Sequence, residues 1–274
     1  MRVRLDFAYD GTDFHGWARQ PGLRTVQGEL ETALTTALRT AEPVRVACAG
    51  RTDTGVHARG QVAHADVPAD RWAEQGPGLV RRLAGLLPAD VRVHGAVPAA
   101  PGFDARWSAR SRTYAYRVSD RPGGADPLAR GYVLHHAGRG GAPLDVAALN
   151  EASQLLLGEH DFAAFCRRRE GASTVRTLLE LSWARDDEGL VVMHVRADAF
   201  CHSMVRSLVG ALLPVGDGRR PAAWPASLLA AGRRDPVAEV APPTGLCLEH
   251  VEYPPDSELA AQAQRAKRVR GPLA

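Results

Sequence analysis

The chain is nearly without lysine: of its 34 basic residues one, Lys267, is a lysine and the other 33 are arginine. A Walker A phosphate loop needs a Gly-Lys-Ser/Thr step, and none occurs, so that route to nucleoside triphosphates is excluded. Schiff-base chemistry from a buried lysine is excluded almost as firmly. The GxGxxG step of a dinucleotide fold is missing as well. The four cysteines, Cys48, Cys166, Cys201 and Cys247, lie far apart with no CxxC pair. That spacing rules out zinc ribbons and thioredoxin-type motifs and predicts a reduced, cytosolic chain. Long apolar runs are lacking too. Uncharged stretches such as 207–216 fall short of the ~18 to 20 residues that a membrane span requires, so no span is expected. The opening MRVRLDFAYDG carries charges and no apolar h-region, so no signal peptide is expected either.

What is present is a chain of 274 residues with 45% hydrophobic residues, enough for a packed core. At roughly 100 to 200 residues per domain it makes one large domain or two ordinary ones. The net charge is +3, so any nucleic-acid surface must be a local patch. Alternation over 3–9 predicts a strand, and Val26, Leu30, Ala33, Leu34 and Leu38 predict a helix over 25–38 with Thr25 as its N-cap. Strands are expected at 44–49, 61–67 and 91–97, and a helix over 71–87 interrupted by Gly76, Pro77 and Gly78. The order β-α-β-β-α-β then recurs. Its elements are a strand at 113–118, a helix at 145–157 capped by Asp145 and stopped by Gly158, and a hairpin of 178–184 and 190–197. An apolar helix at 203–215 and a strand at 246–253 follow, with an extra short helix at 224–231. The predicted fold class is α+β: two ferredoxin-like, RRM-like halves with antiparallel sheets. The join is expected at 98–102, giving halves 1–102 and 103–254. Residues 255–274 read as a solvated basic tail with Arg265, Lys267, Arg268 and Arg270.

Polar chemistry concentrates in CAGRTDTGVHARGQVAH (48–64). One short turn presents the Asp53 carboxylate, the Arg51 guanidinium and the hydroxyls of Thr52 and Thr54, with Gly55 able to supply a positive φ. From local pattern alone, an Asx turn that satisfies Asp53 with its own backbone is the favoured reading. Two arginine clusters fit phosphate contact or a solvated face. The first holds Arg106, Arg110, Arg112 and Arg117 with Phe103 and Trp107 interleaved; the second holds Arg167, Arg168, Arg169 and Arg176. Tyr114 and Tyr116 alternate on one strand and share a face. Arg206 lies on an otherwise apolar helix, where it needs a partner or must reach solvent. His57, His64 and Asp66 fit no compact metal-ligand spacing, and no metal is expected.

YDGTDFHGWARQ (9–20), GRTDTGVHARGQVAH (50–64), FDARWSARSRTYAYRV (103–118), GEHDFAAF (158–165), FCHSMVRSLVGALLPVG (200–216) and GLCLEHVEYP (245–254) occur in that order. Together they resemble the bacterial tRNA pseudouridine synthase A family. The resemblance implies two ferredoxin-like halves around a central basic cleft. It also implies a homodimer in which one tRNA touches both subunits, and conversion of uridine to pseudouridine at positions 38 to 40 of the anticodon stem-loop. That reaction is an isomerisation, so no cofactor is expected. By the resemblance Asp53 is the catalytic aspartate and Arg51 the base-flipping arginine; local pattern by itself favours a salt bridge from Arg51 to Asp53. Tyr114 is assigned to stack on the flipped base and Arg206 to pair with Asp53, while Tyr116 is core. Leu246 and Leu248 are assigned to the apolar floor, or are simply strand core. The expected tRNA contacts are Phe103, Arg106, Trp107, Arg71 and Arg168. Two rival classes remain: a paired RRM-like RNA-binding protein without catalysis, and an aspartate-dependent hydrolase of a small substrate. The intact RTD turn argues against the first, and the arginine clusters against the second.

Overall fold

The computed structural model describes residues 1–167 and 173–267. They fall into two compact units, Met1–Arg110 with residues 248–267, and Ser111–Cys247. Both are mixed α and β.

The first unit opens with β1 (Arg2–Tyr9), where Val3, Leu5, Phe7 and Tyr9 are buried at every second position. A strand's side chains alternate between faces, so this period sends one whole face into the core. In α1 (Val26–Leu38), Thr25 caps the first turn by accepting the Gly28 amide, as expected. Val26, Leu30, Leu34 and Leu38 form its buried stripe. Then come β2 (Val46–Cys48) and β3 (His57–Asp66). The helix expected over 71–87 is two helices, α2 (Ala69–Gln75) and α3 (Leu79–Leu86), because Pro77 has no amide to continue the ladder. With β4 (Val91–Pro98), the strands run β4-β1-β3, with β2 also on β3, all antiparallel. α3 packs on α1 and β4 through Leu79 and Leu83.

The second unit holds β5 (Ser111–Ser119), β6 (Leu134–His135), α4 (Val146–Gln154), β7 (Gly158–Asp161), β8 (Val175–Arg185), β9 (Val191–Ala197), α5 (Met204–Gly216) and α6 (Trp224–Ala231). Its strand order is β5-β9-β8-β7, antiparallel, with β6 parallel to β5. Asp145 caps α4 by accepting the Ala148 amide at 2.9 Å. The β8–β9 hairpin turns where the Asp186 carboxylate accepts the amides of Glu188 and Leu190. Gly158 opens β7 and does not stop α4, which ends at Gln154. β6 and β7 escape the sequence because two and four residues are too few to display alternation. α5 is buried nearly all round, with α4 and α6 packed against it.

Cys166 and Cys201, distant in the chain, are brought side by side, with Cα atoms 5.7 Å apart. Their separation of 35 residues hid this proximity. The fold brings the turn after Phe165 against the loop before α5, where the Arg167 amide donates to the His202 carbonyl at 3.0 Å. Cys48 and Cys247 are buried.

The chain returns to the first unit through β10 (Leu246–Glu252), which from Leu248 lies beside β3. α7 (Leu259–Lys267) follows where a solvated tail was expected. Leu259 and Ala263, four residues apart, face inward together, and Gln262 donates to the Ala109 carbonyl at 3.3 Å. Arg268 and Arg270 lie outside the described residues. Among the described residues, no helix is long and apolar enough to cross a membrane.

Candidate active site

The loop between β2 and β3, residues 50–56, is held on two sides. On one side its backbone meets the 11–17 segment: the Trp17 amide donates to the Thr52 carbonyl at 3.1 Å, and the Gly55 amide to the Phe14 carbonyl at 3.4 Å. Gly55, at φ 77°, turns the chain so that the Val56 amide reaches back to the Asp53 carbonyl at 3.1 Å. Gly11 lets the two segments touch, since a Cβ there would lie 2.0 Å from the Val56 carbonyl oxygen. On the other side the Thr52 hydroxyl is buried against the Tyr9 hydroxyl at 2.8 Å. The result is an alternation: Arg51 exposed, Thr52 buried, Asp53 half-buried. Among the described residues Arg51 takes part in no ion pair, so the salt-bridge reading of this arginine is set aside. A carboxylate on a turn fixed from both flanks is suited to act as a nucleophile or base on a docked molecule.

The turn 102–110 supplies the second group of expected residues. The Asp104 carboxylate accepts the amides of Arg106 and Trp107, both at 2.9 Å. Arg106 is exposed, its guanidinium stacked over the Trp107 ring at 4.4 Å. Burial pushes the Cys48 thiol up to about 12, and the positive charges of Arg51 and Arg106 both pull the other way. Phe103 corrects the expectation: it is 3% exposed, enclosed by Tyr253 at 5.1 Å, His64 at 6.3 Å and the Arg4 guanidinium at 5.6 Å. Its ring offers no face to RNA and instead supports the turn. Arg112 is corrected likewise, being buried with its guanidinium donating to the Asp198 carbonyl at 2.7 Å. Arg110 is paired with Glu258. Arg71, on α2, sits beside Glu74 at 3.3 Å and Asp70 at 3.9 Å. Arg168 and Arg169 lie outside the described residues. His57 and His64 each accept a backbone amide at Nδ1, from Gly11 and Ala105, both at 3.0 Å.

In the second unit Tyr114 is 7% exposed on β5, its ring edge-on to Phe200 at 5.2 Å. Tyr116 is fully buried and donates to the Pro242 carbonyl at 2.8 Å, as a core tyrosine should. Burial raises its phenol above the usual range, with the Arg206 charge opposing. Arg206, half-buried on α5, donates from Nε to the Ala241 carbonyl at 2.7 Å, and the Ala241 amide returns a bond to the Arg206 carbonyl at 3.0 Å. That exchange explains how a guanidinium is tolerated on an apolar helix. Leu246 and Leu248 are buried. Sequence reasoning missed Tyr9, Gln61 and Phe200. Gln61 alone carried a signal, a polar residue where strand alternation calls for an apolar one.

Residues 152–254 match the model of a family described as tRNA pseudouridine synthase. The chain is 60% identical over 271 residues to the tRNA pseudouridine synthase A of Streptomyces griseus subsp. griseus, covering 98% of this chain and 94% of that one. Against the enzyme of the same name from Frankia casuarinae, identity is 59% over 272 residues, with 99% and 96% covered. Against that of Mycobacterium leprae it is 49% over 281 residues, with 98% and 96% covered.

Proposed function

Since the chain belongs to the tRNA pseudouridine synthase A family, isomerases of tRNA uridine, we propose that it acts on positions 38 to 40 of the anticodon stem-loop with Asp53 as the catalytic carboxylate. The observation that carries this reading is the half-buried Asp53 on a turn pinned by Trp17, Phe14 and Tyr9. In the reaction the bond from ribose C1′ to N1 of uracil breaks, the ring turns, and C1′ bonds to C5. The C5 proton leaves to solvent and N1 gains one, so atoms balance without an oxidant or reductant. A carboxylate serves by attacking the substrate or by removing that proton.

A uridine in a stem is stacked, and extracting it costs a few kcal/mol. Exposed Arg51 is read as the side chain that displaces it, because a planar guanidinium can fill the vacated stack. Tyr114 is read as the ring that receives the base, with Arg206 and Leu246 completing its binding. The Arg106–Trp107 stack and Arg71 are read as tRNA contacts. Each unit is read as ferredoxin-like, a view supported by the order β1-α1-β2-β3-α2-α3-β4 in the first. The family resemblance further supports a cytoplasmic homodimer that shares one tRNA between its subunits.

The test is incubation with tRNA tritiated at uridine C5, without added cofactor. Release of tritium is expected, and none from Asp53→Asn, which keeps the side-chain size and loses the charge. Because phosphate contacts lie elsewhere, that variant should bind tRNA within a few-fold of the parent, as a filter or shift assay reads. Turnover by Asp53→Asn close to the parent rate would remove the carboxylate from the mechanism. Binding without tritium release by the parent would favour the RNA-binding rival.

A further inference from the structure

A glutamine lies where the sheet of the first unit calls for an apolar residue. Gln61, in the middle of β3, is 0% exposed. It is paired across the sheet with Phe7, whose ring packs on Trp17 at 5.7 Å and on Tyr9 at 6.1 Å. An amide left unbonded in such surroundings is costly, so its presence demands partners. It has them. The Gly50 carbonyl, 2.8 Å away, can only accept, so the amide's NH2 end must face it. The second hydrogen of that NH2 is directed to the Tyr9 hydroxyl at 3.3 Å, and Oε1 accepts the Val62 amide at 3.3 Å. The Tyr9 hydroxyl in turn meets the Thr52 hydroxyl at 2.8 Å. A register shift between Phe7 and Tyr9 in the β1–β3 ladder marks a bulge beside this cluster, and bulges re-aim side chains.

These bonds run from the interior of the sheet to both residues that flank Arg51. Gly50 is tied through its carbonyl and Thr52 through its hydroxyl, and the Thr52 carbonyl is tied again by the Trp17 amide. Asp53 is the next residue along, and its own carbonyl closes on Val56. We propose that Gln61, Tyr9 and Thr52 are positioning residues: a buried hydrogen-bonded chain that sets the place of the Asp53 carboxylate for the reaction. The proposal rests on Asp53 being the catalytic group. It assigns these three side chains no contact with tRNA. Their loss should therefore slow the chemical step and leave substrate binding alone.

The test uses the full-length enzyme and single-turnover tritium release over a range of enzyme concentrations, which separates the maximal rate from apparent affinity. Thr52→Val keeps the branched shape and loses the hydroxyl; Tyr9→Phe keeps the ring and loses its hydroxyl. Since misplacing a reacting group by about 1 Å can cost on the order of a hundredfold, each should lower the maximal rate by about tenfold or more. Apparent affinity should stay within about twofold of the parent. Thr52→Ser restores the hydroxyl and should recover most of the rate. The double variant Tyr9→Phe/Thr52→Val should be no slower than the worse single variant, because both break one link. Thermal melting run alongside identifies variants that fail to fold; if Tyr9→Phe is one, the Thr52→Val and Thr52→Ser pair decides. A folded Thr52→Val with the parent rate overturns the proposal, as do losses confined to affinity or losses that multiply in the double variant. Asp53→Asn in the same assay separates the two readings. If it is inactive while Thr52→Val is normal, positioning alone is wrong; if it is active, there is no carboxylate to position and both fall.

Discussion

Arg51 and Asp53 stand two residues apart and meet opposite surroundings, one exposed and one half-buried, with buried Thr52 between them. A side chain anchored at its base and exposed at its tip can reach into a nucleic acid without unfolding the turn beneath it. If the Arg51 guanidinium helps extract the uridine, Arg51→Ala should cost more on a stem-loop whose target uridine is paired than on one where it is already unpaired. Flipping costs a few kcal/mol, and about 1.4 kcal/mol is a factor of ten, so even a partial contribution separates the two substrates by about tenfold. Arg51→Lys should rescue poorly, because an ammonium can neither stack nor fork across two acceptors. Single-turnover rates on two stem-loops differing only in that pairing supply the measurement. Equal losses on both would eliminate the flipping role.

Between elements, the close approach of the 11–17 and 50–56 segments depends on Gly11. An alanine there would place its Cβ 2.0 Å from the Val56 carbonyl oxygen and 2.5 Å from its carbon, both backbone atoms that cannot swing aside. Gly85, exposed within α3, has nothing within 4 Å of a Cβ and carries only the entropic cost of a helical glycine. The same substitution should therefore have opposite signs. Gly85→Ala should stabilise by about 0.5 to 1 kcal/mol with activity unchanged. Gly11→Ala should destabilise and slow turnover together. Chemical denaturation and tritium release read both, and a Gly11→Ala enzyme of parent stability would show that the segments are free to separate. Element-level order was legible where one residue type forces a local result. Thr25 and Asp145 announced their caps, Pro77 a break, and β1 its alternation. What stayed hidden depends on partners distant in sequence. Leu259 and Ala263 mark α7 as a packed helix only once Gly102 and Ala109 lie beneath it. Cys166 and Cys201 are neighbours only after folding, and Gln61 reads as a packing error until Gly50 and Tyr9 are beside it. The candidate loop itself was legible, because Asp53 and Arg51 lie in one run of residues; the hydrogen bonds that fix it were not.

For the molecule as a whole, acid should act in two stages. His64 comes first. It is 8% exposed, and its Nδ1 accepts the Ala105 amide at 3.0 Å, a bond that needs the ring nitrogen unprotonated. Burial, helped by the Arg2 charge and opposed by Asp104 and Asp66, holds its pKa below the ordinary 6.5. The unfolded chain therefore takes up this proton more readily than the folded one. Its contribution is complete above pH 6.5 and drains away as the pH falls through 6.5 towards the folded value. The carboxylates come second. Asp66 is held below the ordinary 3.8 first by its hydrogen bond from Arg2, and Asp120 by that from Arg185, burial opposing in both. For Asp10 and Asp217 burial is the largest influence and pushes upward, but hydrogen bonds from Thr12 and from Arg219 and His136 outweigh it. All four contribute fully above 3.8 and are lost as the pH falls below it. Melting temperatures across this range should thus fall gently from about pH 7 to about pH 5 and steeply below about pH 4. His64→Gln keeps an acceptor for the Ala105 amide and cannot protonate. It should melt close to the parent at neutral pH, lose the gentle slope, and lie above the parent as the pH falls towards about 5. If the gentle slope persists in His64→Gln, another group carries it and the buried imidazole is not the first site through which acid loosens the fold.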